Sequence, residues 1–173
     1  MKNFGPALKT IIFSILVPGV VGIWIPTRLH GLTQQPAIAV CILGWAMLAA
    51  GIALYLLCAR SFVRAGGTPA PVAPTRELIA GGVYRYVRNP MYLAVLLAIF
   101  GQALAYGSLT VAYYGVGAWC FFFVVFVLLY EEPTLKRQFG ESYRDYCNRV
   151  PRWIPRLRPN SPGKMKSPGE PGL

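Results

Sequence analysis

The chain has 173 residues, 55% hydrophobic and 13% charged, and 17 Lys and Arg against 6 Asp and Glu leave a net charge of +11. Soluble domains carry about 25% charged residues, so this composition excludes an ordinary soluble domain and a disordered chain and indicates a membrane class. The basic residues lie between and after the apolar runs, and no helix or zinc motif supports a nucleic-acid partner.

Residues 10–27 carry no charge, and their core reads IIFSILVPGVVGIWI between Lys9 and Arg28. A first span is expected over about 10–27, kinked at Pro18, with neighbouring helices satisfying the carbonyl that proline frees. A secretory signal peptide shares the charged start and apolar stretch, but no small-x-small cleavage site precedes Arg28 and the chain continues as a membrane protein. Residues 36–59 form the second span, 24 uncharged residues closed by Arg60, where a bilayer core needs about 20. From Asn89 to Tyr130 there are 42 residues without a charge, too long for one crossing. They divide into spans over 91–104 and 109–130 joined by the turn Ala105-Tyr106-Gly107-Ser108, with Tyr106 at the far interface. Gly44, Ala46, Ala50 and Gly51 in the second span, and Gly115 and Gly117 in the fourth, offer small side chains for close backbone approach.

Four spans put both termini on one side. Lys2, Lys9, Arg60, Arg64, Arg76, Arg85, Arg88 and the basic residues from Lys136 to Lys166 all fall on that side, against Arg28 alone on the other. Short loops rich in Lys and Arg stay cytoplasmic, so both termini and the loop before span three are expected in the cytoplasm, facing anionic headgroups. Cys41, Cys58 and Cys120 lie in spans, Cys147 lies on the reducing side, and none stands near His30 or in a C-x-x-C pair. Neither a disulfide nor a metal site is expected. The expected fold is all-α: a polytopic membrane protein of about four transmembrane helices with a C-terminal interfacial amphipathic helix over about 134–149. It forms one domain over 1–158, followed by a disordered tail over 159–173 rich in Pro, Gly, Ser and Lys.

Two clusters exceed what anchoring requires. The loop runs through Gly66-Gly67-Thr68-Pro69-Ala70-Pro71 and Gly81-Gly82 to Tyr84-Arg85-Tyr86-Val87-Arg88-Asn89-Pro90-Met91-Tyr92. Its glycines and prolines fit either a backbone that approaches a ligand closely or a flexible linker. Asn89 suits an N-cap and Pro90 the first turn of helix three, which sets unbonded N–H groups beside Arg85 and Arg88, a setting for a phosphate or carboxylate. Interfacial Tyr and Arg anchoring the helix to lipid account for the same residues.

The second cluster is Glu131-Glu132-Pro133. Two adjacent carboxylates at a helix end beside the membrane are opposed by mutual repulsion, desolvation and the helix dipole, a cost that points to function. The loop arginines are their natural partners, and an ion pair with Arg85, Arg88 or Arg137 is the structural alternative. Beyond them Leu135, Phe139, Tyr143, Tyr146 and Val150 share one helical face, with Lys136, Arg137, Arg144 and Arg149 on others. Such a helix lies in the interface plane, weakened at Gly140, and Trp153 then returns toward the interface.

Together these residues resemble the integral-membrane methyltransferases that include isoprenylcysteine carboxyl methyltransferase and phosphatidylethanolamine N-methyltransferase, over about Gly66 to Pro155. The run Tyr84 to Tyr92 is similar to the family's Y-R-x-x-R-[HN]-P-x-Y motif, and Leu128-Leu129-Tyr130-Glu131-Glu132-Pro133 to its Glu-Glu motif. Phe139-Gly140 with Tyr143, Tyr146 and Val150-Pro151 is similar to the F-G-x-x-Y-x-x-Y ending of the carboxyl methyltransferase branch. Asn89 stands where that branch commonly has His, Asn-Pro-Met-Tyr also resembles the phospholipid branch, and little matches before Gly66.

The resemblance implies S-adenosylmethionine as methyl donor on the cytoplasmic side, held by Arg85, Arg88, Asn89, Pro90, Tyr92, Glu131 and Glu132, with Glu132 and Arg137 as catalytic residues. Carboxylates suit the donor's ribose hydroxyls or ammonium, and guanidiniums its carboxylate. The implied acceptor is lipid-like or prenylated and membrane-embedded, as for isoprenylcysteine carboxyl methyltransferase, with a phospholipid or other lipid amine as the alternative. An NADPH-dependent membrane reductase and a non-catalytic membrane scaffold are the further rivals. A small transporter is disfavoured because spans two to four hold no ionisable residue.

Overall fold

The computed structural model describes residues 15–29, 31, 35–65 and 78–157. The start of the first expected span, His30, the Gly- and Pro-rich half of the loop and the expected tail over 159–173 lie outside the described residues. Every regular element among the described residues is helical. Helix α1 runs in the wide π register over Ile15–Trp24 and as an α-helix over Ile25–Leu29. Helix α2 is Ile38–Arg64, a 3-10 turn covers Gly82–Arg85, and α3 is Pro90–Tyr106. Helix α4 is α-helical over Leu109–Ala118 and π-helical over Trp119–Glu131, and it continues without interruption into α5, Glu132–Arg149.

Two helices, α2 and the continuous Leu109–Arg149, are long and apolar enough to cross a membrane, while α3 is apolar and shorter at 17 residues. At 1.5 Å per residue α3 is about 25 Å long. The hairpin between α3 and α4 closes at Gly107, whose φ of 62° is left-handed and whose N–H reaches the carbonyls of Ala103 and Leu104. Ser108 then caps α4, its Oγ accepting from the Val111 N–H at 3.3 Å. Glycine at the left-handed position and serine at the cap are what so short a connection demands.

Helix α3 is the central element because it is small on one face and bulky on the other. Toward α2 it presents Ala94, Ala98, Gly101 and Ala105, and α2 answers with Gly44 and Gly51, seven residues apart and so on one stripe. A Cβ on Gly44 would lie 2.6 Å from the Gly101 carbonyl oxygen, and one on Gly51 2.7 Å from that of Ala94. The two backbones therefore pack directly, as small-residue seams allow. Ala46 and Ala50, expected on this surface, are exposed, since two residues from Gly44 is a rotation of about 200°. Ile99 and Ala103 of α3 form a core with Val111 and Ala118 of α4, to which Leu29 of α1 adds. Gly115 of α4 lets Ile99 and Phe100 approach, whereas Gly117 faces open space.

Polar bonds join α1 to this core. Pro26 has no N–H to offer either Val21, five residues back in the π register, or Gly22, four back in the α register. The Tyr114 hydroxyl donates to the Val21 carbonyl at 2.9 Å, and Gln102 Nε2 donates to that of Gly22 at 2.6 Å. The outward faces of α2 and α4 carry exposed Ile42, Leu43, Trp45, Leu56, Leu57, Phe121 and Leu129, apolar surface suited to lipid.

Of the residues expected to share a face of α5, Tyr143, Tyr146 and Val150 pack against the chain's own Leu78 and Ala80 with Leu135, Phe139 and Cys147. Gly140 interrupts the helix at φ 52° and ψ −125°.

Candidate functional site

The C-terminal end of α2, the N-terminal end of α3 and the junction of α4 with α5 meet at one end of the bundle. Phe62 near the end of α2 stacks edge-on against Tyr84, with ring centroids 6.0 Å apart, and the Tyr84 carbonyl accepts from the Tyr146 hydroxyl at 2.8 Å. Burial pushes the Tyr84 phenol well above its ordinary range, so it stays a neutral structural group.

Adjacent residues of a helix point about 100° apart, and the two glutamates consequently find different partners. Glu131 turns to α3, where Tyr92 donates its hydroxyl to Oε2 at 2.5 Å. Glu132 is 5% exposed, and its Oε1 accepts from Arg88 Nη1 at 3.1 Å and from Arg152 Nε at 2.7 Å. Its Oε2 accepts from Arg152 Nη2 at 2.9 Å, so Arg152 grips the carboxylate with both prongs of its fork. That bond raises the Arg152 guanidinium above its ordinary range, which keeps it charged at every working pH. The largely buried Arg88 and the partly exposed Arg152 together offset the desolvation that would otherwise expel a carboxylate from such a place.

The segment Val150 to Arg156 lies along the turn before α3 like a strap. The Arg88 N–H donates to the Pro151 carbonyl at 2.9 Å and the Arg156 N–H to that of Tyr86 at 3.0 Å. Asn89, 8% exposed, stands at the cap position of α3, yet its side chain makes no cap bond. Its Nδ2 donates instead to the Arg152 carbonyl at 3.2 Å, so the expected cap role is replaced by a tie to the strap. Pro90 occupies the first turn as expected and is buried.

Of the residues expected at the site, Arg88, Asn89, Pro90, Tyr92, Glu131 and Glu132 come together. Arg85 sits half-buried on the 3-10 turn, and Arg137 is exposed on α5, outside the group bonded to Glu132. Sequence reasoning missed Arg152 and Cys147, whose sulfur accepts from Arg88 Nη1 at 2.9 Å. The usable signal for Arg152 was charge balance, since a buried carboxylate with a single half-engaged arginine is under-compensated. Among the described residues no cluster of His, Cys, Asp and Glu could hold a metal ion.

All regular elements of the chain among the described residues are helical, two of them are long and apolar enough to cross a membrane, and the ion pairs to Glu132 gather at one end of the bundle. The chain belongs to the phospholipid methyltransferase family, which it matches over residues 39–142. Protein-S-isoprenylcysteine O-methyltransferase B of Arabidopsis thaliana is 34% identical over 80 residues, 46% of this chain and 40% of the relative. Methanethiol S-methyltransferase 2 of Bradyrhizobium diazoefficiens is 36% identical over 76 residues, 43% of this chain and 27% of the relative. Protein-S-isoprenylcysteine O-methyltransferase of Schizosaccharomyces pombe is 32% identical over 79 residues, 45% and 33% of the two chains. The matched part thus covers well under half of each of these relatives. No solved structure matches the chain.

Proposed function

We propose that the chain transfers a methyl group from S-adenosylmethionine to a lipid-like or membrane-embedded acceptor at the cytoplasmic face. The observation that carries this reading is the division of labour between the adjacent carboxylates, with Glu132 fixed by two arginines and Glu131 turned toward Tyr92 in the first turns of α3. The residues fit the donor. Arg88 Nε is buried without a partner among the described residues, a donor suited to the carboxylate of an amino-acid moiety, with Arg85 on the neighbouring turn. Glu131 suits an ammonium or ribose hydroxyls, and Asn89, Pro90 and Tyr92 shape the backbone beside it.

When bound, the donor supplies an electrophilic methyl on a sulfonium. The chain's own residues then have to orient the two partners and exclude water, with Glu132 holding Arg88 in place and exposed Arg137 available to an acceptor carboxylate. The relatives are named for isoprenylcysteine and methanethiol acceptors and the family for phospholipids, and of these the isoprenylcysteine and the phospholipid carry long apolar chains. The exposed apolar faces of α2 and α4 support such an acceptor. An isoprenylcysteine-like carboxylate is the first choice, and a phospholipid amine, favoured by the family match, is the second. Four crossings with both termini in the cytoplasm accord with the placement of the basic residues.

Calorimetric titration of the detergent-solubilised chain with S-adenosylmethionine, S-adenosylhomocysteine and NADPH tests the reading. Micromolar binding of the first two is expected, followed by transfer of labelled methyl to prenylcysteine or to phosphatidylethanolamine in vesicles. Binding of NADPH alone replaces the reading with a reductase, and a folded chain that binds none of the three removes it.

A further inference from the structure

The family match ends at residue 142, before Tyr143 and the strap, yet the strap supplies the stronger of the two grips on Glu132. Arg88 reaches only Oε1, at 3.1 Å, and the same Nη1 also serves the Cys147 sulfur. Oε2 is held by Arg152 Nη2. Without Arg152 one oxygen of a nearly inaccessible carboxylate would lose its partner and the other would keep its longer bond. Arg152 also uses its own carbonyl to hold the Asn89 side chain. A single residue therefore joins the junction of α4 and α5 to the N-terminal end of α3.

Past Val150, whose N–H closes α5 on the Tyr146 carbonyl at 2.9 Å, the strap is irregular, and Pro151 and Pro155 remove N–H groups from it. What seats it is the pair of backbone bonds with Arg88 and Tyr86 and the two attachments made by Arg152. The grip on Glu132 is the one charged link among these, and a bidentate guanidinium–carboxylate pair fixes direction as well as distance.

We propose that Arg152 is a positioning residue that orients Glu132 and seats the strap Val150 to Arg156 over the Tyr84 to Asn89 turn, so that segments beyond the family match complete the donor end of the site. The donor arm of this inference rests on the methyltransferase reading above, and the strap arm does not.

The test uses the full chain in detergent, comparing Arg152→Gln, Arg152→Lys, Glu132→Gln and the double variant Arg152→Gln with Glu132→Gln. Two quantities are read: hydrogen exchange at the Arg88 and Arg156 amides, and affinity for S-adenosylmethionine. Arg152→Gln is expected to speed exchange at both amides and to weaken donor binding roughly tenfold, the value of a lost charge-assisted bond. Arg152→Lys should recover part of both, because it returns the charge without the fork. In the Glu132→Gln background Arg152→Gln should weaken donor binding no further. Tyr146→Phe, which removes a bond to the same turn without touching Glu132, should weaken donor binding less than Arg152→Gln does. Unchanged exchange in folded Arg152→Gln, effects of the two substitutions that multiply, or an equal loss in Tyr146→Phe would each overturn the proposal. Should Arg152→Gln not fold, Arg152→Lys carries the same comparison. Absence of donor binding in the unaltered chain would sink the methyltransferase reading alone, and amide exchange would still decide the role of Arg152.

Discussion

Gln102 donates to the carbonyl of Gly22 at 2.6 Å although 80 residues separate them, and the residue four past Gly22 is Pro26, which has no N–H to give that carbonyl in the α register. The side chain of one helix thus supplies a bond that the proline of another cannot make. Gln102→Met is expected to cost about 0.5 to 2 kcal/mol, the range for a polar contact between helices in lipid. In a Pro26→Ala background, where the backbone regains an N–H, the same substitution should cost less. Unfolding midpoints of the four variants in mixed micelles measure the coupling, and an equal cost in both backgrounds would break the link.

The seam between α2 and α3 makes opposite predictions for two glycines. Gly44→Ala places a methyl against the α3 backbone and should destabilise by about 1 to 3 kcal/mol, as overpacking does. Gly117→Ala, with nothing within 4 Å of its Cβ, should stabilise by up to about 1 kcal/mol through helix propensity. Thermal unfolding in detergent reads both signs, and a neutral Gly44→Ala would mean that the helices are not in backbone contact.

The two glutamates should differ in what they disturb. Glu132→Gln leaves Arg88 and Arg152 facing a neutral amide and is expected to lower stability by about 3 kcal/mol, as removal of one partner from a buried ion pair does. Glu131→Gln keeps an oxygen for the Tyr92 hydroxyl, so the fold should hold while donor affinity falls. Chemical unfolding together with donor titration separates the two effects; a destabilised Glu131→Gln beside an unaffected Glu132→Gln would reverse the assignment. Arg137→Ala should leave donor affinity unchanged and raise the acceptor KM.

Gly140 holds φ 52° and ψ −125° within α5, a conformation that side chains resist. Gly140→Ala should cost about 1 to 3 kcal/mol. If the substitution instead raised the melting temperature, as helix propensity alone would have it, the interruption of α5 would not exist in solution.

Much of the bundle was legible because lipid exposure and charge exclusion act over whole segments. The uncharged run from Asn89 to Tyr130 and its Gly107 turn give α3 and α4 with ends within two residues of those observed. Contacts set by angle were half legible: Gly44 and Gly51 face α3, and the neighbouring alanines do not. Arg88 was among the partners expected for the glutamates, but Arg152 stands 20 residues past Glu132 in an irregular segment where no periodicity points back to it. The π register of α1 and α4 left no local sign either. Asn89 likewise gave no sign that its side chain would leave the cap role for the Arg152 carbonyl.

The glycine seam also sets where the molecule can be stiff and where it can yield. With no rotamers between their main chains, α2 and α3 can neither slide nor part without losing contact along the whole stripe, so they behave as one rigid plate. Beyond Gly115, α4 shows most of its apolar side chains outward and leans on α3 far less. The tight side of the bundle is therefore α2 with α3, and the Glu131–Tyr92 bond ties the more loosely packed α4 back to that plate at the end where the charged groups gather.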